Sequence, residues 1–151
     1  MATRWLTPDE QRTWRRYLES SKVLLDVLDR QLQHDADLPH AYYEILVRLS
    51  EAEDRSLRMS ELADLTRSSR SRLSHAVARL EERGWVERAD CLTDRRGQLA
   101  QLTDAGHDVL RAAAPGHVDT VRRYFIDALT PAQLGQLSDI GERIIARVQQ
   151  S

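Results

Sequence analysis

The sequence predicts a mostly α-helical chain with a small β-wing: a winged helix-turn-helix held between N- and C-terminal helical arms. Three observations carry this. Residues Ser60 to Gly106 read as two short helices, a turn and two strands joined by a basic tip. Apolar residues recur at steps of three and four on both sides of that stretch. The motif Thr-Pro opens a helix near each end, at Thr7-Pro8 and Thr130-Pro131.

The arms come first in the chain. Thr7-Pro8-Asp9-Glu10 combines a cap, a proline at the first helical position and a glutamate closing a capping box. Trp14, Leu18, Ser21, Leu25, Leu28 and Leu32 then mark one stripe of a helix about 25 residues long, widened by Tyr17 and Leu24. His34 to His40 breaks it. Two histidines and two aspartates lie in that segment, but their spacing matches no helical zinc motif, and ordinary turn chemistry before Pro39 accounts for them, so no metal is expected. Ala41 to about Ala52 forms a second helix with Tyr43, Leu46, Val47 and Leu49 inward, and Leu57-Arg58-Met59 is a short strand able to pair with the wing.

In the central stretch, Ser60 is the expected cap of a helix to Leu65, with Leu62, Ala63 and Leu65 inward. After Thr66-Arg67-Ser68, Ser69 caps a second helix that runs to about Arg83 and ends at Gly84. At roughly 100° per residue, Leu73, Ala76, Val77 and Leu80 share its inner stripe. Ser71 and His75 point outward, flanked by Ser74, Arg72 and Arg79. Arg67 to Leu80 contains four arginines and no acid, whereas Glu81 and Glu82 stand in the last turn. A helix entering a major groove by its N-terminal half needs donors there and tolerates carboxylates where it leaves. An ordinary solvated face accounts for the same residues. Trp85–Arg88 and Leu99–Leu102 are the predicted strands, with a turn at Asp94-Arg95-Arg96-Gly97. Thr103 caps a long helix, Val109, Leu110 and Ala113 inward, that Pro115-Gly116 is expected to kink or break. The last helix carries the stripe Leu134, Leu137, Ile140, Ile144, Ile145 and Val148.

Composition narrows the function. The 151 residues are read as one domain, 57–103 forming the reader and 7–56 and 104–150 mainly the arms and a supporting helix. Net charge is −2, yet residues 58–103 carry a net +2, so the positive excess lies in the segment already nominated for nucleic acid. No run approaches the roughly 20 apolar residues of a membrane span, and no apolar leader follows Met1, which points to the cytoplasm and no membrane partner. The single cysteine, Cys91, excludes an intrachain disulfide. No Gly-rich phosphate loop, G-x-S-x-G turn or H-E-x-x-H helix occurs, so neither an enzyme nor a cofactor is expected.

The segments Leu80-Glu81-Glu82-Arg83-Gly84-Trp85-Val86-Glu87-Arg88, Asp94-Arg95-Arg96-Gly97 and Leu102-Thr103-Asp104-Ala105-Gly106 closely resemble the multiple antibiotic resistance regulator (MarR) family of winged-helix transcription factors, whose wing pattern is D-x-R followed by L-T-x-x-G. The resemblance implies a homodimer built on the first and last helices, a palindromic double-stranded DNA operator, Arg96 in the minor groove and Asp94 supporting the wing. It also implies a small aromatic or phenolic effector between arms and reader, for which Trp14, Tyr17, His40, Tyr42 and Tyr43 combine apolar bodies with polar tips. The expected DNA contacts are Ser69, Arg70, Ser71, Arg72, Ser74, His75, Arg79, Arg95 and Arg96. A ligand-responsive repressor is the leading reading. A constitutive or architectural DNA-binding protein without effector, and a protein-interaction module on the same fold, are the alternatives.

Overall fold

A computed structural model describes residues 2–91 and 94–151, with the side chains of 94–96 outside the description. The elements are helices α1 (Pro8–Ala36) and α2 (His40–Glu51), strand β1 (Ser56–Arg58), helices α3 (Met59–Leu65) and α4 (Arg70–Glu82), strands β2 (Val86–Cys91) and β3 (Asp94–Leu102), and helices α5 (Asp104–Val121) and α6 (Pro131–Gln149). Arg122–Ile126 forms a π-helical turn after α5. The chain divides into two compact units, residues up to Leu24 with Val118–Ser151, and Leu25–His117.

Leu25–His117 contains the winged helix-turn-helix. Its sheet is antiparallel with strand order β1-β3-β2. Val86 pairs with Leu102 and Arg88 with Ala100, while Leu57 pairs with Ala100 from the other side. Strand alternation sends Val86, Ala100 and Leu102 into the core and Glu87 and Gln101 out to solvent. Against that face pack Leu46 and Leu49 of α2, Leu62 of α3, and Leu73, Val77 and Leu80 of α4, all fully buried. The inner stripe expected for α4 is therefore the one observed. Burying a leucine of this kind stabilises by about 1.5–3 kcal/mol, so these six side chains outweigh any surface term in the unit.

Local chemistry sets the joints. Ser69 Oγ accepts from the Arg72 amide at 3.2 Å and caps α4 as expected. Gly84 follows the end of α4 at φ 75°, where a side chain would be strained. Thr103 Oγ1 accepts from the Gly106 amide at 3.0 Å and donates to the Gly84 carbonyl at 2.7 Å, so one hydroxyl caps α5 and ties it to the turn after α4. A Cβ at Gly106 would sit 2.1 Å from the Trp85 carbonyl oxygen, which requires glycine there.

The other unit holds the N-terminal part of α1 and all of α6. Thr7 and Glu10 form the expected capping box (2.8 and 3.2 Å), and Thr130 and Gln133 form a second (2.9 and 3.2 Å). No residue of α6 is buried, and the large apolar side chains of Ile140, Ile144, Ile145 and Val148 stand exposed.

Several expectations are corrected. Ser60 does not cap α3; Arg58 holds that position without a side-chain bond, because β1 runs directly into the helix and the chain has turned before Ser60. Leu65 is 44% exposed, at the rim where α3 gives way to the polar turn. Ile45 is buried, whereas Val47 is half-buried. Asp94–Gly97 is not a turn: these residues begin β3, and Asp94 pairs with Cys91. Pro115 does not break α5, because losing one backbone donor is local while Leu110 and Ala113 anchor the same helix in the core.

Candidate nucleic-acid interface

The outward face of α4 is polar and free of carboxylates for its first three turns. Ser69, Arg70, Ser71, Arg72, His75 and Arg79 are exposed, and Arg67 projects from the preceding turn at φ 53°. Among the described residues Arg70 and Arg72 have no ion-pair partner, while Arg79 pairs with Glu82 at 3.3 Å. Donors are thus gathered at the N-terminal half of the helix, and the acids sit at the end that a groove-bound helix would withdraw.

Ser74 differs from its neighbours. It is half-buried, its hydroxyl lies 3.4 Å from Nη1 of Arg88, and its carbonyl accepts from Nη2 of Arg88 at 2.7 Å. Arg88 Nε lies 2.8 Å from Oε1 of Glu81, an ion pair too far off the N–H axis for a hydrogen bond. Between α4 and the sheet opens a hollow of about 450 Å³ lined by Arg58, Arg70, Arg88, Ser74, Leu73 and Gln98, so cationic side chains line the path from helix to wing. The backbone of Asp94-Arg95-Arg96 leads into β3 at the far end of the hairpin; the side-chain roles expected for Asp94, Arg95 and Arg96 lie outside the described residues.

Arg83, just past α4, is a second connector. Nη1 donates to the Asp37 carbonyl at 2.6 Å, Nη2 lies 3.6 Å from Asp37 Oδ2, and the guanidinium covers the Trp85 ring at 4.9 Å. Asp37 itself has φ 48° at the end of α1, so the end of the outward-facing helix is moored to the α1–α2 joint. Neither arginine stands out by periodicity alone. Arg88 had one sequence sign: two residues after inward Val86, it takes the core-facing side of β2.

The residues expected to hold an effector separate. Trp14 and Tyr17 stack on each other at 6.1 Å in the first unit and are half-exposed. In the second unit Tyr42 packs against the core, whereas His40 and Tyr43 come together around His117, with ring centroids 5.8 and 4.5 Å away. A groove of about 360 Å³ opens there, lined also by Glu44, Arg48 and Glu51. His117 Nδ1 is buried without a hydrogen-bond partner among the described residues, and burial, helped by His40, holds the imidazole pKa below its ordinary value. Burial also pushes the Tyr43 hydroxyl pKa up. His117 continues the inward stripe Gly106, Leu110, Ala113 of α5, the one sequence feature that points to it.

Residues 36–97 match the profile of the MarR family. Over nearly the whole chain, the structure of Sco3205, a MarR family transcriptional regulator of Streptomyces coelicolor solved in complex with DNA, superposes with a TM-score of 0.91 at 58% identity, covering 95% of this chain and 90% of that one. The chain belongs to the MarR family. A second MarR regulator of S. coelicolor, AbsC, superposes at a TM-score of 0.93 with 44% identity, covering 99% of this chain and all of that one (100%). The transcriptional repressor MprA of Escherichia coli is 33% identical over 105 residues, 70% of this chain. That match takes in only 59% of MprA's own length. Catalysis is no part of what these MarR relatives are named for. No described helix is long and apolar enough to cross a membrane.

Proposed function

We propose that this MarR protein is a sequence-specific DNA-binding transcriptional regulator that reads an inverted-repeat operator as a homodimer, with α4 in the major groove and the β2–β3 wing in the minor groove. The observation that carries this is the outward face of α4, where Ser71, Arg72 and His75 stand exposed beside Arg70 with no carboxylate before Glu81. The DNA complex of Sco3205, at 58% identity, supports the same reading. One such helix touches only a few base pairs, and two-fold symmetry doubles the site. The exposed apolar residues of α6 and of the first turns of α1 supply a surface for that symmetry. Arg96 and Arg95 reach for the minor groove in this reading, and Asp94 supports the wing. Repression is the simplest output, as in MprA, because a dimer seated on a promoter excludes other proteins. The protein acts in the cytoplasm, where the DNA is. Recovering bound genomic fragments and sequencing them tests DNA binding and palindromy together; fragments without an inverted repeat would overturn the proposal.

Responsiveness to a small aromatic or phenolic acid is the finer part of this reading. The groove around His40, Tyr43 and His117 supports it, since ring faces, a tyrosine hydroxyl and the nearby Arg48 suit an aromatic anion. A ligand that prefers the free protein must release operator by the same factor as its own preference. Titrating a panel of aromatic acids and phenols against the bound operator tests this. Release by none of them would leave a constitutive binder.

A further inference from the structure

We infer that Arg88 is a positioning residue: it sets the angle between the wing and the reading helix, and does so without touching DNA. The inference deepens the DNA-reading proposal and rests on it.

Strand alternation places Arg88 on the inner face of β2, two residues beyond buried Val86 and paired across the sheet with buried Ala100. An arginine there has its stem among apolar groups and its head against α4. The side chain is 22% exposed, and all three guanidinium nitrogens face α4. They grip it through two residues two turns apart on one face, the Ser74 carbonyl and hydroxyl on one side and, on the other, the Glu81 carboxylate, whose side chain leans back along the helix toward them. A planar fork that spans two anchor points resists rotation in a way that a single contact cannot.

The rest of the joint explains why a strut is needed. Chain continuity ties β2 to α4 only through Gly84, at φ 75°, with the Trp85 amide donating to the Leu80 carbonyl at 3.1 Å. That is a hinge at one end of the strand. Arg88 adds a second point of attachment further along, and β2 passes the constraint to β3 through Arg88–Ala100 and Ala89–Leu99. β3 begins at Asp94-Arg95-Arg96, so the residues proposed for the minor groove are carried on the braced hairpin. At the other end Ser74 stands next to His75 and one turn from Ser71. Glu81 largely cancels the Arg88 charge, so the pair contributes shape rather than attraction for phosphate.

Electrostatics and bracing make opposite predictions for Glu81→Gln. Removing a carboxylate near a polyanion raises affinity if charge alone matters; removing one anchor of the strut lowers it. Arg88→Lys keeps the charge and loses the fork. Both full-length variants are to be tested beside the wild type on the duplex it selects, by affinity at several salt concentrations and by binding-site selection, with thermal melting to establish folding. The expected result for both is a roughly tenfold loss of affinity, relaxed preference at the base pairs under the wing with the half-site interior retained, and an unchanged slope of log affinity against log salt. Should Arg88→Lys fail to fold, Glu81→Gln decides the matter by itself. Glu81→Gln binding as tightly as the wild type or more tightly, or Arg88→Lys behaving as wild type, overturns the inference. A wild type that binds no duplex overturns the DNA-reading proposal instead.

Discussion

The two compact units bury their apolar residues very differently. Every buried hydrophobic side chain described lies between Leu28 and Ala113, inside the unit Leu25–His117. The unit formed by residues up to Leu24 and Val118–Ser151 has none, although it carries Trp14, Tyr17, Tyr124, Ile140, Ile144, Ile145 and Val148. Its helices are well capped, so local stability is not what it lacks. It lacks something to pack against. A reader that is complete within one chain and an arm region that is not is what a dimeric reader requires: the first must hold its shape alone, and the second must reserve its apolar surface for a second copy.

The largest effect that would break this contrast comes from removing 134–151. The truncated chain should sediment as a monomer and lose at least roughly a hundredfold in affinity for an inverted repeat, the scale on which linking two weak sites acts. Next comes stability. Leu80→Ala in the reader should lower unfolding free energy by about 2–5 kcal/mol at any protein concentration. Ile144→Ser in α6 should instead lower the melting temperature in a concentration-dependent way, because its cost falls on assembly. Equal, concentration-independent losses from the two would erase the distinction.

Within the reader, Arg72→Ala and His75→Ala should each cost roughly 1–3 kcal/mol and change preference inside the half-site, as losing a base contact does. Arg96→Ala should leave the interior alone, weaken A·T preference at the flanks and shallow the salt dependence by about one phosphate per subunit. Selection of randomised duplexes by each variant separates these roles.

The smallest effect concerns pH. His117 titrates below the usual 6.5 in the folded chain, so between the two values the unfolded chain binds more protons. Its contribution is therefore fully present above pH 6.5 and is lost as pH falls through the folded value. Glu44, Glu51, Arg48, Tyr43 and His40 line the same groove, and His40 is the neighbour that opposes a charge on His117. His117→Gln should flatten the melting temperature between pH 7.5 and 5.5 relative to wild type; an unaltered pH profile would show that another group governs it.

What could be read from the sequence was local. The caps at Thr7, Ser69, Thr103 and Thr130 and the left-handed Gly84 each depend on residues within four positions, and all are present in the structure. The inner stripe of α4 followed from periodicity in the same way. The misplaced wing turn shows where that logic ends: Asp-Arg-Arg-Gly has turn composition, but Asp94 pairs with Cys91 of β2 and the stretch enters β3 across a register shift. Of the nine residues expected to contact DNA, the six from Ser69 to Arg72 together with His75 and Arg79 are on the open face, and Ser74 is drawn inward by a partner fourteen positions away. Arg88, Arg83 and His117 likewise act through partners distant in sequence. Their meaning lies in contacts that no spacing rule encodes.

A self-contained reader beside arms that are incomplete alone should be presented twice, by two copies of the chain. Analytical ultracentrifugation of the full chain, free and with a duplex carrying one inverted repeat, tests it most directly. The expected result is a dimer at micromolar concentration and two chains on each duplex. A monomer in solution that binds the duplex as a single chain would contradict it.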